Sequence, residues 1–201
     1  GKRARVELSD GTRLVVNCQS KVIYPRCFKG DIRKIYAQGE VFLEVAHDKK
    51  HPFIVESDDF KLQVLGTKFN ISNYKGGATN IVLVEGAVEV TDKNEKKARL
   101  NPNDLLNIAN GTIAYQKQVD VAEYISWVEG IMLLNGNDLS QIIQRLSIYY
   151  GISIQCDPII GKEKVYGKLD LKDDIDEVIE CIQQTLPFTI EKSDTSIYLN
   201  K

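Results

Sequence analysis

Between residues 131 and 192 the chain states one pattern twice. "LLNGNDLSQIIQRLSIYYGISIQC" is followed about 36 residues later by "KLDLKDDIDEVIECIQQTLPFTIEK". Leu139, Ile142, Ile143 and Leu146 return as Ile175, Val178, Ile179 and Ile182, the spacing of a helix with one apolar stripe. Asn137 and Asp173 take the cap position before each helix, and Gly151 and Pro187 mark the exits. Ile152 and Ile154 match Phe188 and Ile190 in the strand that follows. A striped helix cannot bury its stripe alone. Two such units, closed by a last strand "SIYLN", predict a small α+β domain of two βαβ-like repeats over residues 131–201.

Residues 1–118 carry no such period. "ARVEL" faces "TRLVVN" across Asp10-Gly11, a tight-turn pair between two alternating runs. "SKVIYP", "IRKIYAQ", "EVFLEVA", "FIVES", "KLQVLG", "TKFNISNY", "NIVLVEG", "AVEVTD", "DLLNIAN" and "TIAYQK" follow. Each is short and rich in Val, Ile, Tyr, Phe or Thr, which predicts an all-β domain, an antiparallel sandwich or roll. The glycines of "VLGTKF" and "LVEGAV" read as bulges or turns needing positive φ, since both segments continue as strands and neither is a phosphate loop. Residues 119–130 read as a connector helix, with Asp120 as its cap, Gly130 as its stop and Trp127 as an anchor.

Charge excludes several classes of function. Net charge is −2, and residues 130–201 hold 7 Lys or Arg against 11 Asp or Glu, which argues against a nucleic-acid partner. No apolar run reaches the roughly 18–20 residues that cross a bilayer. With no signal peptide and a glycine at position 1, the sequence reads as an excised soluble portion. Of the four cysteines, Cys18, Cys27, Cys156 and Cys181, none has zinc-site spacing. Cys18 and Cys27 flank a short apolar segment, so they suit either a bridge in an oxidising compartment or two small thiols.

The candidate chemistry lies in "GEVFLEVAHDKKHPF", residues 39–53, which holds both histidines. On a helix Glu40, Glu44, His47 and His51 would share a face and suit a metal. However, Val41, Leu43 and Val45 alternate with Phe42, Glu44 and Ala46, which is a strand, and "HDKKH" is then a polar turn in a hairpin with Pro52 opening the next strand. No metal or other cofactor is expected. "DLKDDIDE" lacks the glycine and terminal glutamate of a calcium loop and reads as a solvated helix start. No nucleophile constellation stands out, so a binding or signalling module is expected rather than an enzyme.

Several of these stretches together resemble the FecR family of transmembrane anti-sigma factors, in their periplasmic portion. The carriers are "VELSDGTRLVVNCQSKVIYP", "RKIYAQGEVFLEVAHDKKHPFIVES", "KLQVLGTKFNISNY" and "IVLVEGAVEV". "LNPNDLLNI" matches a later turn, with Asn103 where the family has glycine. The repeat after residue 130 resembles the family's C-terminal domain in Bacteroidetes, similar in fold to the short N-terminal signalling domain of secretins and TonB-dependent transducers. The resemblance implies a single-pass inner-membrane protein. Its cytoplasmic segment, absent here along with the membrane helix, holds an extracytoplasmic-function sigma factor. Its periplasmic part senses an outer-membrane TonB-dependent transducer through that transducer's periplasmic signalling domain.

The closing strand, Ser196, Ile197, Tyr198 and Leu199, is taken as an exposed edge to which the transducer adds a strand. Two rival readings are a carbohydrate- or small-ligand-binding β-domain displaying Tyr24, Tyr36 and Tyr74, and a metal-dependent enzyme centred on His47 and His51.

Overall fold

The computed structural model describes residues 3–172, 174–193 and 195–201. They form two compact units, Arg3–Tyr124 and Ile125–Lys201. The first is all β and the second mixes strands with two long helices.

The first unit runs β1 (Ala4–Glu7), β2 (Arg13–Val16), β3 (Lys21–Ile23), β4 (Arg33–Glu44), β5 (Phe53–Glu56), β6 (Phe60–Val64), β7 (Lys68–Asn73), β8 (Thr79–Glu85), β9 (Val88–Asp92), β10 (Lys97–Leu100), β11 (Asp104–Ala109) and β12 (Thr112–Gln118). β4 absorbs two segments that read separately in the sequence, "IRKIYAQ" and "EVFLEVA". Its first half pairs with β3 and β5, and its second half with β2 and β7. It therefore belongs to two layers, β10-β9-β6-β5-β4 with β3, and β4-β7-β8-β11-β12 with β1 and β2. One core cluster takes side chains from both layers, among them Ile35, Val55 and Leu62 from one and Val41, Phe69, Ile81 and Leu106 from the other.

Gly39 lets β4 change layers. Its φ is +91°, and a Cβ there would sit 2.4 Å from the Ser20 hydroxyl and 2.7 Å from Ser20 Cα. The Ser20 hydroxyl instead accepts the Glu40 amide at 2.8 Å. The layer change also overturns the hairpin expected at "HDKKH": β5 pairs with the first half of β4 in parallel, Arg33 opposite Phe53. Alternation marked the strand correctly, but it does not record which neighbour the chain returns to.

Arg33 secures that return. It sits on the core-facing row of β4, 4% exposed. Its Nη1 donates to Asp10 Oδ2 and to Ala46 O, both at 2.8 Å, and its Nε donates to His51 O at 2.8 Å. The guanidinium lies 5.3 Å from the Phe53 ring centroid. Asp10 also accepts the Thr12 hydroxyl at 2.7 Å, and that hydroxyl accepts the Ala46 amide at 3.1 Å. One buried polar network thus joins the β1–β2 turn, the start of β4 and the 46–51 loop.

Register is fixed at the far end of β4. Glu7, Arg13, Glu44, Lys68 and Glu85 face one another in sequence across β1, β2, β4, β7 and β8, a rung of alternating charge. Such cross-strand pairs each add a few tenths of a kcal/mol and disfavour slipped pairings. β10 was missed in the sequence because "KKARL" is too charged and too short to stand out; it is an edge strand whose Leu100 alone is fully buried. Gly86 has the expected positive φ, +95°, whereas Gly66 does not. Asn103 takes φ +71°, a conformation that asparagine tolerates better than most residues other than glycine.

The second unit starts inside the connector, where α1 (Ala122–Ile125) passes into a 3₁₀ turn, Ser126–Glu129, that ends at Gly130 with φ +79°. Trp127 is buried. Then come β13 (Ile131–Asp138), α2 (Leu139–Tyr150), β14 (Ser153–Cys156), β15 (Lys164–Asp170), α3 (Ile175–Gln183), β16 (Thr189–Lys192) and β17 (Ser196–Asn200). The repeat is real: seven of the eight stripe positions are buried in one cluster, and Ile175 packs against it. The caps fall one residue later than expected, at Asp138 and Asp174; Asp173 lies outside the described residues. Asp138 donates its amide to Gln141 Oε1 at 3.4 Å, and Asp174 Oδ1 accepts the Asp176 amide at 2.9 Å. β13 pairs antiparallel with β15, while β14 and β16 both pair with β17.

Arg33→Met should destabilise the chain by about 3–5 kcal/mol in chemical denaturation followed by circular dichroism, since it leaves Asp10 and two loop carbonyls without their buried donor. Lys34→Met, which removes only an exposed 2.6 Å bridge to Glu56, should cost under about 1 kcal/mol. Gly39→Ala should cost at least about 2 kcal/mol in the same assay, from its φ and its clash with Ser20.

Candidate interaction surface

The four potential metal ligands of residues 39–53 have separate occupations. Glu40 accepts Asn17 Nδ2 at 2.7 Å and Asn70 Nδ2 at 3.2 Å. Glu44 lies 3.0 Å from Arg13 and 3.7 Å from Lys68, within the charge rung. His47 packs on Gly66, where a Cβ would come within 2.5 Å of its Nδ1, so that glycine is required by close approach rather than by φ. The 45–48 segment lies along residues 65–67, with Val45 N donating to Thr67 O at 3.0 Å and Asp48 N to Leu65 O at 2.8 Å. His51 Nδ1 lies 2.6 Å from Asp48 Oδ2. Among the described residues no three His, Cys, Asp or Glu side chains converge on one point. The described thiols are all free, Cys18 buried and Cys27 exposed.

A groove of about 480 Å³ opens over the charge rung, lined by Glu7, Arg13, Glu44, His47, Lys68 and Glu85 among others, with no Phe, Tyr or Trp among its described lining residues. Its charges are largely paired with each other. The three candidate tyrosines do not converge on it. Tyr24 is exposed after β3, Tyr36 donates to Asp58 at 3.0 Å, and Tyr74 donates to the Cys18 carbonyl at 3.1 Å. Burial, then Asp58, pushes the Tyr36 phenol up; burial, then the Glu40 charge, raises Tyr74.

The edge assigned from sequence to Ser196–Leu199 is not an edge. β17 lies between β14 and β16. Ser193 N donates to Ser196 O at 2.9 Å, and antiparallel alternation from that pair makes Glu191·Tyr198 a bonded pair and Ile190·Leu199 a non-bonded one. Ile197 and Leu199 therefore turn their polar backbone groups to β14, where Asp157 N donates to Leu199 O at 2.9 Å. Tyr198 turns its groups to β16. Ile197 and Leu199 are also buried, 3% and 0% exposed. The position of a strand in the chain does not set its position in a sheet.

The free edges of this sheet are β14 and β16, and the repeat treats them alike in one respect. Ser147 Oγ donates to Ile152 O, and 36 residues on Gln183 Nε2 donates to Phe188 O at 2.6 Å. Each helix thus covers the first outward carbonyl beside its strand. They differ at the next group. Ser147 Oγ also accepts the outward Ile154 amide at 3.1 Å, which closes the start of the β14 edge. On β16 the same alternation points Ile190 and Lys192 outward, and Ile190 is only half-buried. β16 therefore presents the longer open row of donors and acceptors, the property that lets a sheet accept another strand. Sequence reasoning missed it because the pairing partner, not the strand's own residues, decides which strand lies outside.

The Asp48–His51 pair can be tested by titration. The His51 hydrogen bond, aided by the amides of Lys50 and His51, holds the Asp48 carboxyl down from 3.8 to about 2. Depression of a folded-state carboxylate makes its stabilisation present above the ordinary value and lost as pH falls towards 2. In His51→Ala the Asp48 midpoint should climb back towards 3.8 in carbon-13 NMR.

Comparison with known proteins agrees with this architecture. The sequence profile described as FecR protein matches residues 1–89, and the profile described as FecR, C-terminal, matches residues 131–199. No curated protein sequence matches. A 1.65 Å crystal structure of a candidate anti-sigma factor from Parabacteroides distasonis superposes with a TM-score of 0.85 at 31% identity, over 100% of this chain and 95% of that one. A second, at 2.50 Å from the same organism, gives 0.84 at 30% identity with the same coverage. Likeness over the whole chain, through both units and the link between them in sequence, settles the assignment: the chain belongs to the FecR family of anti-sigma factors, regulatory proteins that act through contacts with sigma factors and signalling partners.

Proposed function

We propose that the chain is the sensing portion of its anti-sigma factor, that it works in the periplasm, and that it relays the state of an outer-membrane TonB-dependent transducer to an extracytoplasmic-function sigma factor. Transcription then follows the loading of the transducer. The observation that carries this reading is the family assignment over both units. No residue of this chain is assigned to sigma-factor contact. Among the described residues no helix is long and apolar enough to cross a membrane, so none of the described helices is given that task.

The transducer's signalling domain docks on β16 rather than on β17. An incoming strand would pair with the outward groups of Ile190 and Lys192, extending β14-β17-β16 by one strand. Affinity capture of outer-membrane proteins on the fragment should retain a TonB-dependent receptor, and its absence would count against the relay. Docking is tested separately. Ile190→Pro removes an outward amide and leaves the Glu191·Tyr198 pair intact, so it should abolish capture while the melting profile is kept. Tyr198→Pro cuts the internal ladder and should unfold the second unit.

A further inference from the structure

We infer that the segment from Lys21 to Ile32 is a docking surface for an anionic lipid bilayer. Between β3 and β4 the chain leaves the sheet for residues 24–32. Only Phe28 turns inward, its ring 5.9 Å from that of Phe53 at 72°. That ring pair, with Arg33 buried at the segment's end, gives the excursion a fixed base. Nearly everything else in it faces water. Ile23, Tyr24 and Ile32 are 53%, 43% and 45% exposed, an apolar concentration that asks for a cover.

The charges around them are mainly positive. Lys21, Arg26 and Lys29 are exposed, and among the described residues none of them makes an ion pair, whereas nearby Lys34 is bridged to Glu56. Asp31 is the segment's one acid. Along the Glu7-to-Glu85 rung, by contrast, charges meet their opposites. Three free cations beside an aromatic and two isoleucines match the boundary between acyl chains and anionic headgroups, with the apolar bodies inserted and the cations at the phosphates. A protein partner fits less well. A stable protein interface needs roughly 20–30 residues a side, and this one is a loop of about a dozen.

Co-sedimentation with vesicles tests the proposal on the chain as it stands. Binding is expected to vesicles containing phosphatidylglycerol, to weaken with added salt, and to be absent on pure phosphatidylcholine. Lys21→Glu/Arg26→Glu/Lys29→Glu should lower the partition coefficient about a hundred-fold, at about five-fold per cation. Ile23→Ser/Tyr24→Ser/Ile32→Ser should lower it similarly at unchanged charge. Lys75→Glu/Lys162→Glu/Lys168→Glu alters net charge equally at exposed positions elsewhere and should have a much smaller effect. All the substituted side chains lie on the surface, so melting temperatures should match that of the parent. No binding to anionic vesicles, equal binding to neutral ones, or equal losses in the two charge-reversed variants would overturn the proposal; the first would leave the patch to a protein partner.

Discussion

The ion pair between Arg33 and Asp10 organises the first unit. A guanidinium at a core-facing position is tolerated only when its donors find acceptors, because an uncompensated buried charge costs several kcal/mol. Here the acceptors come from chain segments far apart in sequence: the Asp10 carboxylate and the carbonyls of Ala46 and His51. Satisfying Arg33 therefore brings the first turn and the 46–51 loop to the start of β4. Phe53, below the guanidinium, then enters beside Arg33 in parallel register. Both histidines belong to the loop so held, and their nearness is a by-product of that closure.

The second unit solves its own problem by repetition. Each helix buries one stripe, and each sends one side chain, Ser147 or Gln183, to the outward carbonyl beside its following strand. The two sites are equivalent in position but not in chemistry. A hydroxyl both donates and accepts, so Ser147 also closes the Ile154 amide. The amide side chain at Gln183 is seen only to donate to the carbonyl. One substitution between repeats thus makes the sheet's two edges unequal.

Much of this was legible in the sequence. The apolar stripes of α2 and α3, the strands flanking them, the all-β character of the first unit and the stop at Gly130 follow from local periodicity and backbone preference. Local patterns read through the residues' own neighbours, and where an outcome depended on distant segments they fell short. The continuity of β4 through Gly39 depends on Ser20 filling the space a Cβ would take. The parallel placement of β5 depends on Arg33, which reads in the sequence as one more polar residue of a strand. The edge was misassigned to Ser196–Leu199 because position in the chain does not give position in the sheet, where β17 is central. The acidic run at 170–177 read correctly as a helix start, since Asp174 caps α3 and Asp176 bridges Lys192 at 2.7 Å.

The central place of β17 has a bearing on how the molecule is made. β14 and β16 have no bond to each other; both are held by a strand that follows them. During synthesis, the two strand–helix–strand repeats emerge before the element that joins their sheet. Until β17 arrives, Gln155 on one side and Glu191 on the other stand beside an open slot with their backbone groups unpaired. β17 joins β16 through a local hairpin, whereas its pairing with β14 spans a long stretch of sequence and carries the loop-closure cost. Before that step the open slot is a template that any extended chain nearby can enter.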